Sequence, residues 1–152
     1  MSDDSKKNWE YNEDPLINIL VVDDDTMCRN IIISQLGLIG FHRVIEAANG
    51  AEAHKYILDT TTRIDLVICD WEMPKTDGLT LLRAVRQHRT RAKLPFIMVT
   101  SQASQERMKI TKAKLNDVDG YIVKPFHSAV LRDKVLEILT KASVEKKKMT
   151  GT

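Results

Sequence analysis

The chain lacks any apolar run of 18 residues, so no stretch of it reads as a membrane-spanning helix. Its first residues, Met1-Ser2-Asp3-Asp4-Ser5-Lys6-Lys7, are polar where a signal peptide would be apolar. Cysteine is scarce: Cys28 and Cys69 lack metal-ligand spacing and sit in apolar contexts. Free core thiols in a reducing cytoplasm fit that pattern better than a disulfide. Neither sign of charge dominates, since Lys+Arg 23 against Asp+Glu 21 gives +2. No global field therefore drives the chain onto nucleic acid or a membrane surface. There is no Gly-rich phosphate loop, which argues against nucleotide chemistry, and no internal repeat or low-complexity block. What is present, 152 residues of 43% hydrophobic composition, suffices for one domain with a real core. No room is expected for a second domain such as a DNA-binding effector.

Residues 1–14 read as a polar tail that ends at Pro15, and residues 142–152, with Lys146-Lys147-Lys148 and Gly151, as a basic one. The domain should occupy residues 15–141. Five strand-like runs fall near 18–22, 43–47, 66–70, 95–100 and 120–123. Helical patterns follow them near 26–39, 50–59, 77–88, 104–116 and 127–141. In the last, Leu131, Val135 and Ile138 form an apolar stripe opposite Arg132, Lys134 and Glu137. Continuous β-branched runs alternating with helices predict an α/β fold, a doubly wound five-stranded parallel sheet.

The runs end in different polar residues. Ile19-Leu20-Val21-Val22 leads to Asp23-Asp24, Leu66-Val67-Ile68-Cys69 to Asp70, Phe96-Ile97-Met98-Val99 to Thr100, and Tyr121-Ile122-Val123 to Lys124-Pro125. Parallel strands joined by helices present their carboxyl ends on one edge, where open α/β sheets bind ligands. Three carboxylates, a hydroxyl and an ammonium should therefore converge there. Acids crowded in this way call for a hard divalent cation, and the lysine beside them for an anion such as phosphoryl. Each motif alone has a plainer explanation. An Asp after a strand commonly caps the next helix, and Asp25 reads as such a cap. Acid pairs are commonly solvated, and a Lys-Pro pair commonly just ends a strand. Four motifs in order, each at a strand end, outweigh those separate explanations. His42, His54, His88 and His127 are scattered and read as ordinary polar side chains, and Met73, Met98 and Met108 as packing residues.

Val21-Val22-Asp23-Asp24, Asp70-Trp71-Glu72-Met73-Pro74-Lys75-Thr76-Asp77-Gly78, Val99-Thr100 and Val123-Lys124-Pro125-Phe126 resemble the motif set of response-regulator receiver domains. The resemblance runs from about Ile17 to Leu139 and is nearest to the single-domain chemotaxis (CheY-like) type. Trp71, Met98-Val99-Thr100 and the closing Lys124-Pro125-Phe126, Leu131 and Lys134 carry that finer likeness. It implies the flavodoxin-like strand order 2-1-3-4-5. It also implies that Asp70 accepts a phosphoryl group from a histidine kinase. Mg2+ would be held by Asp24, Asp70 and the backbone carbonyl of Glu72, with Asp23 acting through water. Lys124 and Thr100 would contact phosphoryl oxygens, and Tyr121 would change rotamer on switching.

Two departures from the family bear on mechanism. Glu72 and Gln102 stand at the positions flanking the attacking water, where the chemotaxis type more typically has Asn and Glu, so they should tune the lifetime of the phosphorylated state. The segment Lys114-Leu115-Asn116-Asp117-Val118-Asp119-Gly120 lacks the usual Ala-Gly-Ala-like turn, and it borders the face that receivers use for output. The implied partners are a kinase and a downstream protein, the flagellar motor switch being the leading analogy, with no nucleic acid and no membrane. A phosphorelay intermediate, or a receiver cut from a larger protein, is the alternative. A haloacid-dehalogenase-type phosphatase would also use an Asp nucleophile, but Met27 stands where its motif wants Thr or Val. A degenerate, unphosphorylated receiver fits poorly with intact Asp24, Asp70, Thr100 and Lys124. On this reading the protein is not a turnover enzyme.

Overall fold

The apolar runs become strands because their residues bury on both faces of one sheet. The computed structural model describes residues 16–73, 77–101 and 118–149. In chain order these form β1 (Asn18–Val22), α1 (Thr26–Leu38), β2 (Arg43–Ala47), α2 (Gly50–Leu58), β3 (Leu66–Asp70), α3 (Gly78–Gln87), β4 (Phe96–Ser101), β5 (Gly120–Lys124) and α4 (Ser128–Met149). All strand pairs are parallel and their order is β2-β1-β3-β4-β5, as the resemblance implied. Four helices stand among the described residues; the helical pattern at 104–116, the residue Gln102 and the tail at 1–14 lie outside them. None of these helices is long and apolar enough to cross a membrane.

The twofold alternation of a strand divides the core in two. Leu20 and Val22 of β1, Val67 and Cys69 of β3, and Phe96 and Met98 of β4 meet Ala53 and Ile57 of α2 and Leu81, Leu82 and Val85 of α3. Their strand neighbours Ile19, Val21, Leu66, Ile68, Ile97 and Val99 face the opposite way. There they meet Ile32 and Leu36 of α1 and Leu131, Val135 and Ile138 of α4. The stripe read from the last helix is thus its buried face. Each such side chain contributes about 1.5–3 kcal/mol on burial.

Local chemistry starts the helices. The Asp25 carboxylate accepts from the Met27 and Cys28 amides, the Asn49 side chain from Glu52 N, and Asp77 from Thr80 N. Each supplies an acceptor for amides that a helix start leaves without partners. After α1 the chain turns through Gly40 at φ 100°, a left-handed conformation that favours glycine. The last helix runs on to Met149 rather than ending near 141. No Gly or Pro interrupts residues 128–149, and Ala142, Glu145 and the lysines are good helix formers.

Candidate functional site

The strand order creates the site. From β1 the chain goes outward to β2 on one side, while β3 lies on the other, so the connections leave the sheet in opposite directions between β1 and β3. The register Val22↔Cys69 then brings Asp23 and Asp70 out side by side. Carboxylate oxygens of Asp23, Asp24 and Asp70 lie within 4.8 Å of one another. Asp23 is fully buried, Asp70 is 8% exposed and Asp24 is open to solvent. From the end of β5, Lys124 Nζ reaches 3.1 Å from Asp23 Oδ2 and 3.5 Å from Asp70 Oδ1. One ammonium faces three carboxylates, so the cluster retains negative charge made entirely of hard oxygen donors. That donor set fits Mg2+ or Ca2+ rather than a soft metal.

The electrostatics record the crowding. Burial pushes the Asp70 carboxyl up to about 6, with Asp23 and Asp24 adding to the rise and Lys124 opposing it. Burial alone would lower Lys124, yet the carboxylates of Asp70 and Asp23 outweigh it and hold the ammonium above its ordinary value. The Asp70 backbone is fixed from both sides: its carbonyl accepts from Cys69 Sγ at 3.2 Å, and Trp71 N donates to Val99 O at 2.8 Å. Gly78 N donates to Trp71 O at 2.9 Å, folding the start of α3 back over the acceptor. A Cβ on Gly78 would stand 2.7 Å from both Asp70 O and Met98 Sδ, so only glycine permits this approach.

The remaining candidates are placed as follows. Thr100, fully buried at the end of β4, donates through Oγ1 to Ser101 O at 3.2 Å. Tyr121, half-buried on β5, packs against the α2–α3 side of the core, and burial raises its hydroxyl. Glu72 is exposed, just beyond β3. Gln102 lies outside the described residues. Beside Lys124 a cleft of about 360 Å³ opens between α1 and the chain after β5, lined by Cys28, Ile31, Ile32, Pro125 and Phe126.

Sequence reasoning missed one contributor. Arg29 of α1 donates from Nη1 to the Asp23 carbonyl at 2.7 Å, while its Nε pairs with Glu46 Oε1 of β2 at 3.0 Å. No spacing rule marks it, because its partners belong to different elements; an arginine one helical turn after the Asp25 cap was the one available hint.

Comparisons with known proteins identify the family. The family model for the response regulator receiver domain matches residues 19–136. The chemotaxis protein CheY1 of Helicobacter pylori is 37% identical over 123 residues, which is 81% of this chain and 97% of that protein. A CheY homolog of Campylobacter jejuni is 37% identical over 129 residues, covering 85% and 97%. Among solved structures, a CheY-like receiver domain protein of Methanospirillum hungatei superposes with a TM-score of 0.72 at 32% identity, covering 86% of this chain and 98% of the other. The chemotaxis response regulator CheY4 of Vibrio cholerae gives 0.69 at 30%, covering 80% and 98%. A family match spanning most of the chain, laid over an acid cluster at the switch point, decides the assignment: the chain belongs to the response regulator receiver family and is a CheY-like receiver.

Proposed function

We propose that this receiver accepts a phosphoryl group on Asp70 from the phosphohistidine of a kinase, and that the modified domain changes the protein-binding face it presents. The observation that carries this is the convergence of the three carboxylates with Lys124 at 3.5 Å from the Asp70 carboxylate. An Asp70 oxygen attacks phosphorus, the P–N bond to the imidazole breaks, and the leaving nitrogen takes the electron pair. The product is an acyl phosphate on Asp70. Mg2+, when bound, would neutralise charge on the phosphoryl oxygens. Asp24, Asp70 and the Glu72 carbonyl would hold it directly, and Asp23 through water.

Lys124 already sits between Asp23 and Asp70, so its ammonium can turn to a phosphoryl oxygen with little movement. For Thr100 to donate to another oxygen, its bond to Ser101 O must open, and Tyr121 would then change its rotamer population. Glu72 and Gln102 would set how long the acyl phosphate lasts. The Asp25 carboxylate is occupied as a helix cap, and its amide partners hold it below the usual carboxylate range. This capping role, with Met27 where a haloacid-dehalogenase-type phosphatase wants Thr or Val, supports a stoichiometric regulator over a turnover enzyme. The relatives' names favour chemotaxis; a cytoplasmic site of action and the flagellar motor switch as target complete this reading by analogy with the chemotaxis type.

Incubation with Mg2+ and acetyl phosphate should add one phosphoryl group, stable to acid and labile to base, at Asp70. Labelling of Asp70→Asn at the parent's rate would overturn the assignment.

A further inference from the structure

Asp23 is fully buried, and each of its polar atoms has a partner within the protein. Its N donates to Ala47 O (3.1 Å), Oδ1 accepts from Asp25 N (2.9 Å) and Oδ2 from Lys124 Nζ (3.1 Å). The carbonyl accepts from Arg29 Nη1 at 2.7 Å. That carbonyl belongs to the planar peptide unit whose other end is the Asp24 nitrogen. Whatever fixes the carbonyl therefore fixes the plane from which Asp24 hangs, and Asp24 is the exposed member of the carboxylate cluster. Arg29 is itself anchored: its side chain is 14% exposed, and its Nε engages Glu46 on β2, whose neighbour Ala47 takes the Asp23 amide. The guanidinium thus ties the β1–α1 turn to the edge strand through a rigid planar fork, which lysine cannot reproduce.

We propose that Arg29 is a positioning residue for divalent-cation binding, holding the Asp23–Asp24 peptide so that the Asp24 carboxylate is presented to the ion beside Asp70. This rests on the reading of the acid cluster as a cation site. Two effects of Arg29 oppose each other. As a cation near the cluster it weakens binding of another cation, and as a clamp it strengthens binding by preorganisation. The Glu46 carboxylate offsets much of its charge, so the clamp should prevail.

The two effects rank variants in opposite orders, which makes the test decisive. Mg2+ is titrated into the full chain, carrying Trp9→Phe to remove its other tryptophan, with Trp71 fluorescence as the readout and thermal midpoints without Mg2+ alongside. Arg29→Met should bind Mg2+ roughly tenfold more weakly than the parent. Arg29→Lys, which keeps a donor for the Asp23 carbonyl, should fall between the two. If charge governs, Arg29→Met binds more tightly than Arg29→Lys, and the proposal is wrong. Lower midpoints with Mg2+ affinity unchanged would mean a merely structural role and would overturn it as well. Should Arg29→Met fail to fold, Arg29→Lys decides alone: weaker binding supports the clamp, and parental binding refutes it. A parent that does not titrate removes the cation site itself and this proposal with it.

Discussion

Asp70 is held in a state that opposes its own charge. Its folded value of about 6 lies above the ordinary 3.8, so the folded protein holds that proton more tightly than the unfolded chain does. Its contribution to stability is therefore complete below about pH 4 and is lost as pH rises through about 6. Without Mg2+, the unfolding free energy from urea denaturation should fall across that window by at most about 3 kcal/mol, and Asp70→Asn should flatten the curve. A slope unchanged in Asp70→Asn would assign the pH dependence to another group. If Asp70 is phosphorylated as proposed, the lifetime of the acyl phosphate would also turn on single residues. Glu72 brings negative charge near an anionic group, yet could orient the attacking water, while Gln102 could hold that water without adding charge. Glu72→Asn and Gln102→Ala should each change the dephosphorylation rate by roughly threefold or more, about 0.7 kcal/mol of barrier. Decay after donor removal measures this, and curves overlaying the parent's would exclude both positions.

At the scale of elements, connections at the end of the sheet remote from the acids are held by one arginine. Arg91, 9% exposed, donates from Nε to Ile57 O at 2.9 Å and from Nη2 to Asp59 O and Thr62 O, both at 2.7 Å. It thereby closes the α2–β3 loop onto the chain between α3 and β4. Arg91→Met leaves those carbonyls without a charged donor and should cost about 2–4 kcal/mol in chemical denaturation. Phosphorylation of the folded fraction should be unaffected, because these contacts lie at the opposite end of the strands from Asp70. A loss below about 0.5 kcal/mol would mean that water replaces the guanidinium. Helix starts were legible in sequence at Asp25, whose acceptor is local. The end of α4 at Met149 was not, because composition marked a basic tail while propensity permitted helix.

For the whole molecule, cation binding at the acid cluster would be linked to folding, since the cluster exists only when β1 and β3 pair. Mg2+ at ten times its dissociation constant should stabilise the fold by about 1.4 kcal/mol, raising the midpoint by about 3–6 °C. Asp24→Ala should abolish the shift, and a shift that survives it would place the ion elsewhere. The sequence alone determined the parallel α/β class, because buried strands and amphipathic helices have distinct periods that persist whatever surrounds them. It also determined which residues stand at strand ends, hence Asp23, Asp24, Asp70, Thr100 and Lys124 as candidates. Strand order came only by resemblance, since periodicity does not say which strands are neighbours. The tertiary structure alone decided that Lys124 bridges Asp23 and Asp70, that Gly78 must lack a side chain, and that Arg29 holds the Asp23 carbonyl. Each of these depends on distances between residues far apart in the chain, which are set by register and packing rather than by any local pattern.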